Sequence, residues 1–173
     1  MKMKIETERL IITEFTPDMA QAVHQNSLDE DTRRFLPDEV FETVEDAAET
    51  INFLISQYEN SDGPLVYPVL LQGQTNIGYV QAVPTENGVW EIGYHIGTQF
   101  TGNGYATEAV KSFLPVIMKQ LGLNKIYGIC DAENIASCKV LEKCGFILEY
   151  EGAGMYQGKS TQIKKYVYKL VGA

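Results

Sequence analysis

Residues Thr101-Gly102-Asn103-Gly104-Tyr105-Ala106 leave a strand-like run and enter a helical one. Glycines let the main chain approach an anion closely, and the first N–H groups of a helix have no carbonyl partner, so such a turn can cradle phosphate. Gly102, Gly104, Tyr105 and Ala106 are the candidate donors. The same pattern also serves as a plain strand-to-helix connection. A dinucleotide fingerprint is disfavoured: it needs a third glycine and a parallel unit with an acidic residue about 20 positions on. A second cluster spans Asn134 to Phe146, where Asn134 and Ser137 share one face at a helix start and Lys143-Cys144-Gly145-Phe146 closes the helix. Asn134 is equally readable as an N-cap, and Ser137 as a polar first-turn residue.

The elements that must position these residues follow from periodicity. Residues 9–15 form a β-branched strand, and Thr16-Pro17 starts a helix running to about Asn26, with Thr16 as cap. The charged segment 27–42 lacks a sustained period and is expected to be irregular or to hold one short helix. Val44, Ala47, Ala48, Ile51, Leu54, Ile55 and Tyr58 trace one helix face, ending near the turn at residues 60–64. Strands at 65–71, 75–84 and 89–96, joined by turns at 72–74 and 85–88, make an antiparallel meander. After the glycine turn, apolar positions from Ala106 to Leu121 form a helix closed by Gly122, with Pro115 expected to kink it. Strand 125–131, helix 134–144 and strands 146–154 and 163–170 complete the chain.

At 173 residues and 45% hydrophobic composition, one domain spanning residues 1–173 is expected. No apolar h-region opens the chain and no apolar run approaches the roughly 20 residues of a membrane span, which reads as soluble, untargeted and cytoplasmic. Three cysteines without a Cys-x-x-Cys, and two histidines, point to neither a disulfide framework nor a metal site. Fourteen basic against twenty-three acidic residues give a net charge of −9, which disfavours nucleic acid or an anionic membrane as partner and favours a cation. A polyanionic ligand must then be held locally, by backbone amides and a few lysines.

Taken together, the two clusters resemble the GNAT superfamily of N-acetyltransferases, and within it the branch that includes ribosomal-protein N-terminal alanine acetyltransferases. The likeness is carried by Thr7-Glu8-Arg9-Leu10, Glu91-Ile92-Gly93-Tyr94, Gly102 to Ala109, Asn134-x-x-Ser137 and Lys143-x-Gly145-Phe146, and extends over residues 6–170. The superfamily's Gln/Arg-x-x-Gly-x-Gly/Ala pattern fits from Gln99 letter by letter, yet the helix start favours a frame beginning at Thr101. The resemblance implies a GNAT-like α/β fold: a mixed, mostly antiparallel sheet of about seven strands flanked by helices, ordered β-α-α-β-β-β-α-β-α-β-β. It further implies acetyl-CoA as co-substrate, no metal, and an amine as acceptor, either a peptide N-terminus or a small molecule. The backbone of Tyr94 and Ile96, with His95 between them, would hold the pantetheine arm and thioester carbonyl. Gly102, Asn103, Gly104, Tyr105, Ala106 and Thr107 would hold the pyrophosphate, and Asn134 the pantetheine again. Lys139 and Lys143 would approach the adenosine phosphate, and splaying of strand 89–96 from strand 125–131 would open the slot.

Acyl transfer to an amine needs a base for the ammonium, donors for the developing oxyanion and an acid for the leaving thiolate. Glu91, on the strand face opposite Trp90, Ile92 and Tyr94, is the first candidate base, with a solvated strand carboxylate as the plain alternative. His95 shares its face. Ser137 is the acid that the resemblance implies, with Tyr127, Tyr150 and Tyr156 as substitutes. Cys130 and Cys138 read as packing residues rather than acyl carriers. Thr13 replaces an arginine frequent in the branch, and the last hairpin lacks an aspartate expected before its final strand, so ribosomal-protein specificity is not carried over. The acidic stretch 29–45 is expected to help shape the acceptor pocket. A non-catalytic acyl-CoA-binding or sensing module is the alternative function, and exposed strand edges at the C-terminal hairpin make a homodimer an expectation.

Overall fold

The structure, a computed structural model, describes residues 2–60, 62–72 and 74–171. Ser61 and Gly73, each inside an expected turn, and the chain ends lie outside the described residues. One eight-stranded sheet has the order β1-β2-β3-β4-β5-β6-β8-β7, with β1 at Ile5–Glu6, β2 at Leu10–Ile12, β3 at Leu65–Leu71, β4 at Thr75–Pro84, β5 at Trp90–Ile96, β6 at Lys125–Asp131, β7 at Ile147–Tyr156 and β8 at Lys159–Lys169. The strand beyond the expected seven is β1, whose two residues pair with Ile11 and Ile12; two residues are too few to show a period. Every neighbouring pair is antiparallel except β5 and β6.

Helices α1 (Ala20–Asn26), α2 (Glu30–Phe35), α3 (Val44–Gln57), α4 (Tyr105–Leu121) and α5 (Ile135–Lys143) cover the sheet. Alternation along β3 sets the layers. Leu65, Tyr67 and Val69 join the main core with α4, while Val66 joins a second cluster with Ala20 of α1 and Ala47 and Ile51 of α3. The segment 27–42 carries α2, capped by the Asp29 side chain, which accepts from Thr32 N–H, and a 3-10 turn at Pro37–Glu39. Proline sets the backbone of that turn at its first position. Thr16 does not cap α1: a 3-10 turn at Pro17–Met19 intervenes, and the Thr16 hydroxyl bonds the Asp18 carboxylate. α4 is unbroken through Pro115, which is exposed while its neighbours Phe113, Leu114, Ile117 and Met118 are buried. Packing of that face sustains the helix across the lost donor.

The parallel pair β5 and β6 registers only at Glu91 with Tyr127 and Ile92 with Gly128. Beyond these residues the strands part, leaving Gly93–Ile96 without a partner on that side. Gly128 sits where a Cβ would come within 2.7 Å of Leu141 in α5, so glycine lets α5 settle close against the sheet where the split begins. Among the described residues, no helix is long and apolar enough to cross a membrane.

Candidate active site

The glycine turn enters α4 with Gly102 at φ 81° and Gly104 at φ 80°, both left-handed, a conformation that costs glycine little. The first helical bond of α4 runs from Glu108 N–H to Gly104 C=O at 3.0 Å. Amides ahead of it, from Gly102 to Thr107, have no helical carbonyl to donate to and sit at the positive end of the helix dipole. The turn is pinned from the N-terminal segment. Glu108 accepts from Thr7 Oγ1 at 2.6 Å, Arg9 N–H at 3.1 Å and Arg9 Nε at 2.7 Å. Arg9 Nη1 donates to the Asn103 carbonyl at 2.9 Å, and its guanidinium lies 4.5 Å over the Tyr105 ring. The Thr7-Glu8-Arg9-Leu10 likeness carried no role for Arg9 or Glu108, because their contact joins segments some hundred residues apart.

A cavity of about 430 Å³ extends from this turn along the unpaired end of β5 to the first turns of α5. Tyr94, His95 and Ile96, the turn from Thr101 to Thr107 apart from Asn103, and Asn134, Ser137, Lys139 and Lys143 line it. Asn103 is exposed and bonds its side-chain amide to the Phe100 and Thr101 carbonyls. Asn134 caps α5: its Oδ1 accepts from Ser137 N–H at 3.2 Å. A second cavity, of about 270 Å³, holds Glu91, Glu39, Gln81, Met155 and Gln157. The two meet at four shared residues, Leu36, Tyr94, Ser137 and Tyr156.

At this junction Tyr94 Oη donates to the Ser137 carbonyl at 2.7 Å and lies 3.0 Å from Ser137 Oγ. Its single proton is thus committed, and Ser137 Oγ is the donor of the second contact. Burial holds the Tyr94 phenol far above its ordinary pKa. Glu91 is raised above the usual carboxylate range by burial, which Lys165 opposes. Glu39 is pushed up to about 7 by burial, with Asp38 adding like charge.

Other candidates lie elsewhere. His95 Nε2 is 2.8 Å from Thr32 Oγ1 and 3.8 Å from Asp29 Oδ2, and its ring stacks on Tyr79. Burial lowers its pKa, and it borders the larger cavity rather than the one holding Glu91. Of the substitute tyrosines, Tyr156 alone reaches the junction. Tyr150 is exposed and donates to Ala153 C=O at 2.7 Å, while Tyr127 lies beneath Lys125 and Lys165. Cys130 and Cys138 are buried with sulfurs 2.7 Å apart, and burial pushes the Cys130 thiol up, opposite to what a nucleophile needs. Among the described residues, no three His, Cys, Asp or Glu side chains gather to hold a metal.

Residues 9–147 match the acetyltransferase (GNAT) domain family. An uncharacterized N-acetyltransferase of Bacillus subtilis, YnaD, is 32% identical over 145 residues, covering 83% of this chain and 82% of the relative. The crystal structure of a GNAT-family acetyltransferase from Bacillus anthracis superposes with a TM-score of 0.81 at 27% identity, over 96% of this chain and 98% of that one. RimL, a ribosomal L7/L12 alpha-N-protein acetyltransferase solved in complex with coenzyme A, shares the fold with a TM-score of 0.80 at 17% identity, over 97% and 98% of the two chains.

Proposed function

Because the chain belongs to the acetyltransferase (GNAT) family, we propose that it moves the acetyl group of acetyl-CoA directly to a primary amine, with Glu91 as base and Ser137 as acid. The observation that carries this is the meeting of two cavities at Tyr94, Ser137, Tyr156 and Leu36, one bordered by open helix-terminal amides and the other by Glu91. Amides from Gly102 to Thr107 fit a pyrophosphate, and Lys139 and Lys143 add cations at the same mouth. The unpaired end of β5 at Tyr94–Ile96 offers main-chain groups to a pantetheine arm, in the manner of a strand addition. Asn134, its Oδ1 committed to the cap, keeps its side-chain NH2 for the same arm.

Acetyl-CoA supplies an acetyl group activated as a thioester. Glu91 takes the proton of the acceptor ammonium, leaving a lone pair for attack at the carbonyl carbon. As the C–N bond forms and the C–S bond breaks, Ser137 Oγ gives its proton to the departing sulfur and takes up the proton that the new amide nitrogen sheds, which restores the hydroxyl. Tyr94, its own proton held by the Ser137 carbonyl, positions that hydroxyl. Isothermal calorimetry with acetyl-CoA, followed by thiol release across a panel of amines, tests the reading. Binding with release above background for at least one amine is expected, and Gly104→Glu should abolish binding by filling the anion cradle with a carboxylate. Binding without release for any amine would assign a sensing module instead.

A further inference from the structure

The cavity that holds Glu91 contains a second carboxyl group for which the transfer step has no use. Glu39 ends the 3-10 turn Pro37–Glu39 and lines this cavity beside Glu91. Its Oε2 is buried without a hydrogen-bond partner. Besides Glu39, the polar side chains around the same cavity are Tyr79, Gln81, Glu91, Tyr94, Ser137, Tyr156 and Gln157, none of them a cation. Lys165 eases the burial of Glu91; for Glu39 the charged neighbour is Asp38, of like sign. A carboxylate oxygen buried with no donor is costly and is normally either paired or used.

We propose that Glu39 anchors a second cationic nitrogen of the acceptor, so that the preferred acceptor is a short diamine reacting at one end beside Glu91 and held at the other by Glu39. This rests on the acetyl-transfer reading and names its acceptor class. The reacting nitrogen must lose its charge before it attacks, so a carboxylate serving that nitrogen alone loses its ion pair on the way to the transition state. A second ammonium keeps its charge throughout and gives Glu39 a partner in every state. Such uniform binding lowers KM more than it raises kcat. The cavity, about 270 Å³, lies near the lower edge of small-molecule sites, roughly 300 Å³, and its apolar walls at Leu36, Val83, Ile92 and Met155 suit a few methylenes between two charged ends. A monoamine or a peptide N-terminus with one ammonium leaves Glu39 unanswered.

The test compares putrescine with pentylamine, in which a methyl group replaces one ammonium at equal length. By thiol release, wild type should favour putrescine about tenfold or more in kcat/KM, chiefly through KM, and Glu39→Gln should bring the ratio close to one. A ratio near one in wild type, which involves no variant, overturns the proposal, as does a ratio that Glu39→Gln leaves intact. Calorimetric titration of putrescine into protein saturated with CoA separates the two readings. Putrescine binding that Glu39→Gln weakens upholds the anchor even where no thiol is released, an outcome that would sink the transfer step alone. Wild type that fails to bind putrescine overturns the anchor even where monoamines are acetylated.

Discussion

Glu91 and Glu39 share a cavity yet differ in surroundings, and that difference sets their roles. Burial raises the Glu91 pKa, with Lys165 limiting the rise, which brings a base closer to the pH at which it must work. As pH falls through that raised value Glu91 gains a proton and can no longer take one. The kcat/KM should therefore fall about tenfold per pH unit on the acid side, and Glu91→Gln should cost about 10²-fold or more in kcat while calorimetric affinity for acetyl-CoA stays as in wild type. A Glu91→Gln enzyme with unchanged kcat would make the residue a bystander. For the acid, Ser137→Ala should cost more in kcat than Tyr156→Phe, since Ser137 Oγ carries the movable proton of the Tyr94 pair; the opposite order would give the role to Tyr156. Strand and helix periods put Glu91, Tyr94 and Ser137 on the elements where they lie, but the role given to Ser137 came from the family resemblance, and the Tyr94 hydroxyl was not read at all, since only its backbone entered the expectation. Glu39 was legible only as one member of the acidic stretch expected to shape the acceptor pocket: it sits on a 3-10 turn in a segment without period, and the β4 and β7 residues around it, Gln81 and Tyr156 among them, are remote in the chain.

At the level of elements, long periodic segments read well. β6 falls on the expected residues 125–131, and α3, α4 and α5 lie where their apolar faces and glycine or asparagine ends put them. Short elements read less well: residues 27–42 hold the one short helix offered as an alternative there, α2, but its bounds, β1 and the 3-10 turns are fixed by capping and pairing more than by amphipathic repeat. The attachment of the N-terminal segment to α4 is of that second kind. Glu108 gathers Thr7, the Arg9 amide and the Arg9 side chain, and Arg9 in turn holds the Asn103 carbonyl. Glu108→Gln retains the size but loses the charge-assisted bonds, which are the stronger ones. We expect it to raise the KM for acetyl-CoA several-fold and to lower Tm, with kcat at saturating acetyl-CoA little changed. A fall in kcat with unchanged KM would show that the clamp serves the junction rather than the turn.

The whole molecule carries a net charge of −9 yet is expected to bind one polyanion and one cation. Its field draws in an ammonium and resists a pyrophosphate, and salt screens both effects over about 10 Å at 0.1 M ionic strength. Raising ionic strength should therefore raise the KM of a cationic amine while the KM of acetyl-CoA rises less or falls; parallel changes would mean that local contacts outweigh the field. Stability should report the acceptor cavity as well. Glu39 has its pKa raised from 4.5 to about 7, so between those values the folded chain keeps a proton that the unfolded chain has released. Stability accordingly falls as pH rises through that window, by about 3 kcal/mol if the full shift is realised. Glu39→Gln has no such proton, so urea unfolding at about pH 5 and about pH 8 should show its stability rising relative to wild type by up to that amount; a difference independent of pH would mean that Glu39 titrates normally. A cation in the cavity acts on wild type in the same direction, because it pairs with the ionised carboxylate and binds the folded state alone. Putrescine should raise the Tm of wild type more at about pH 8 than at about pH 5, and should leave the Tm of Glu39→Gln nearly unmoved at both.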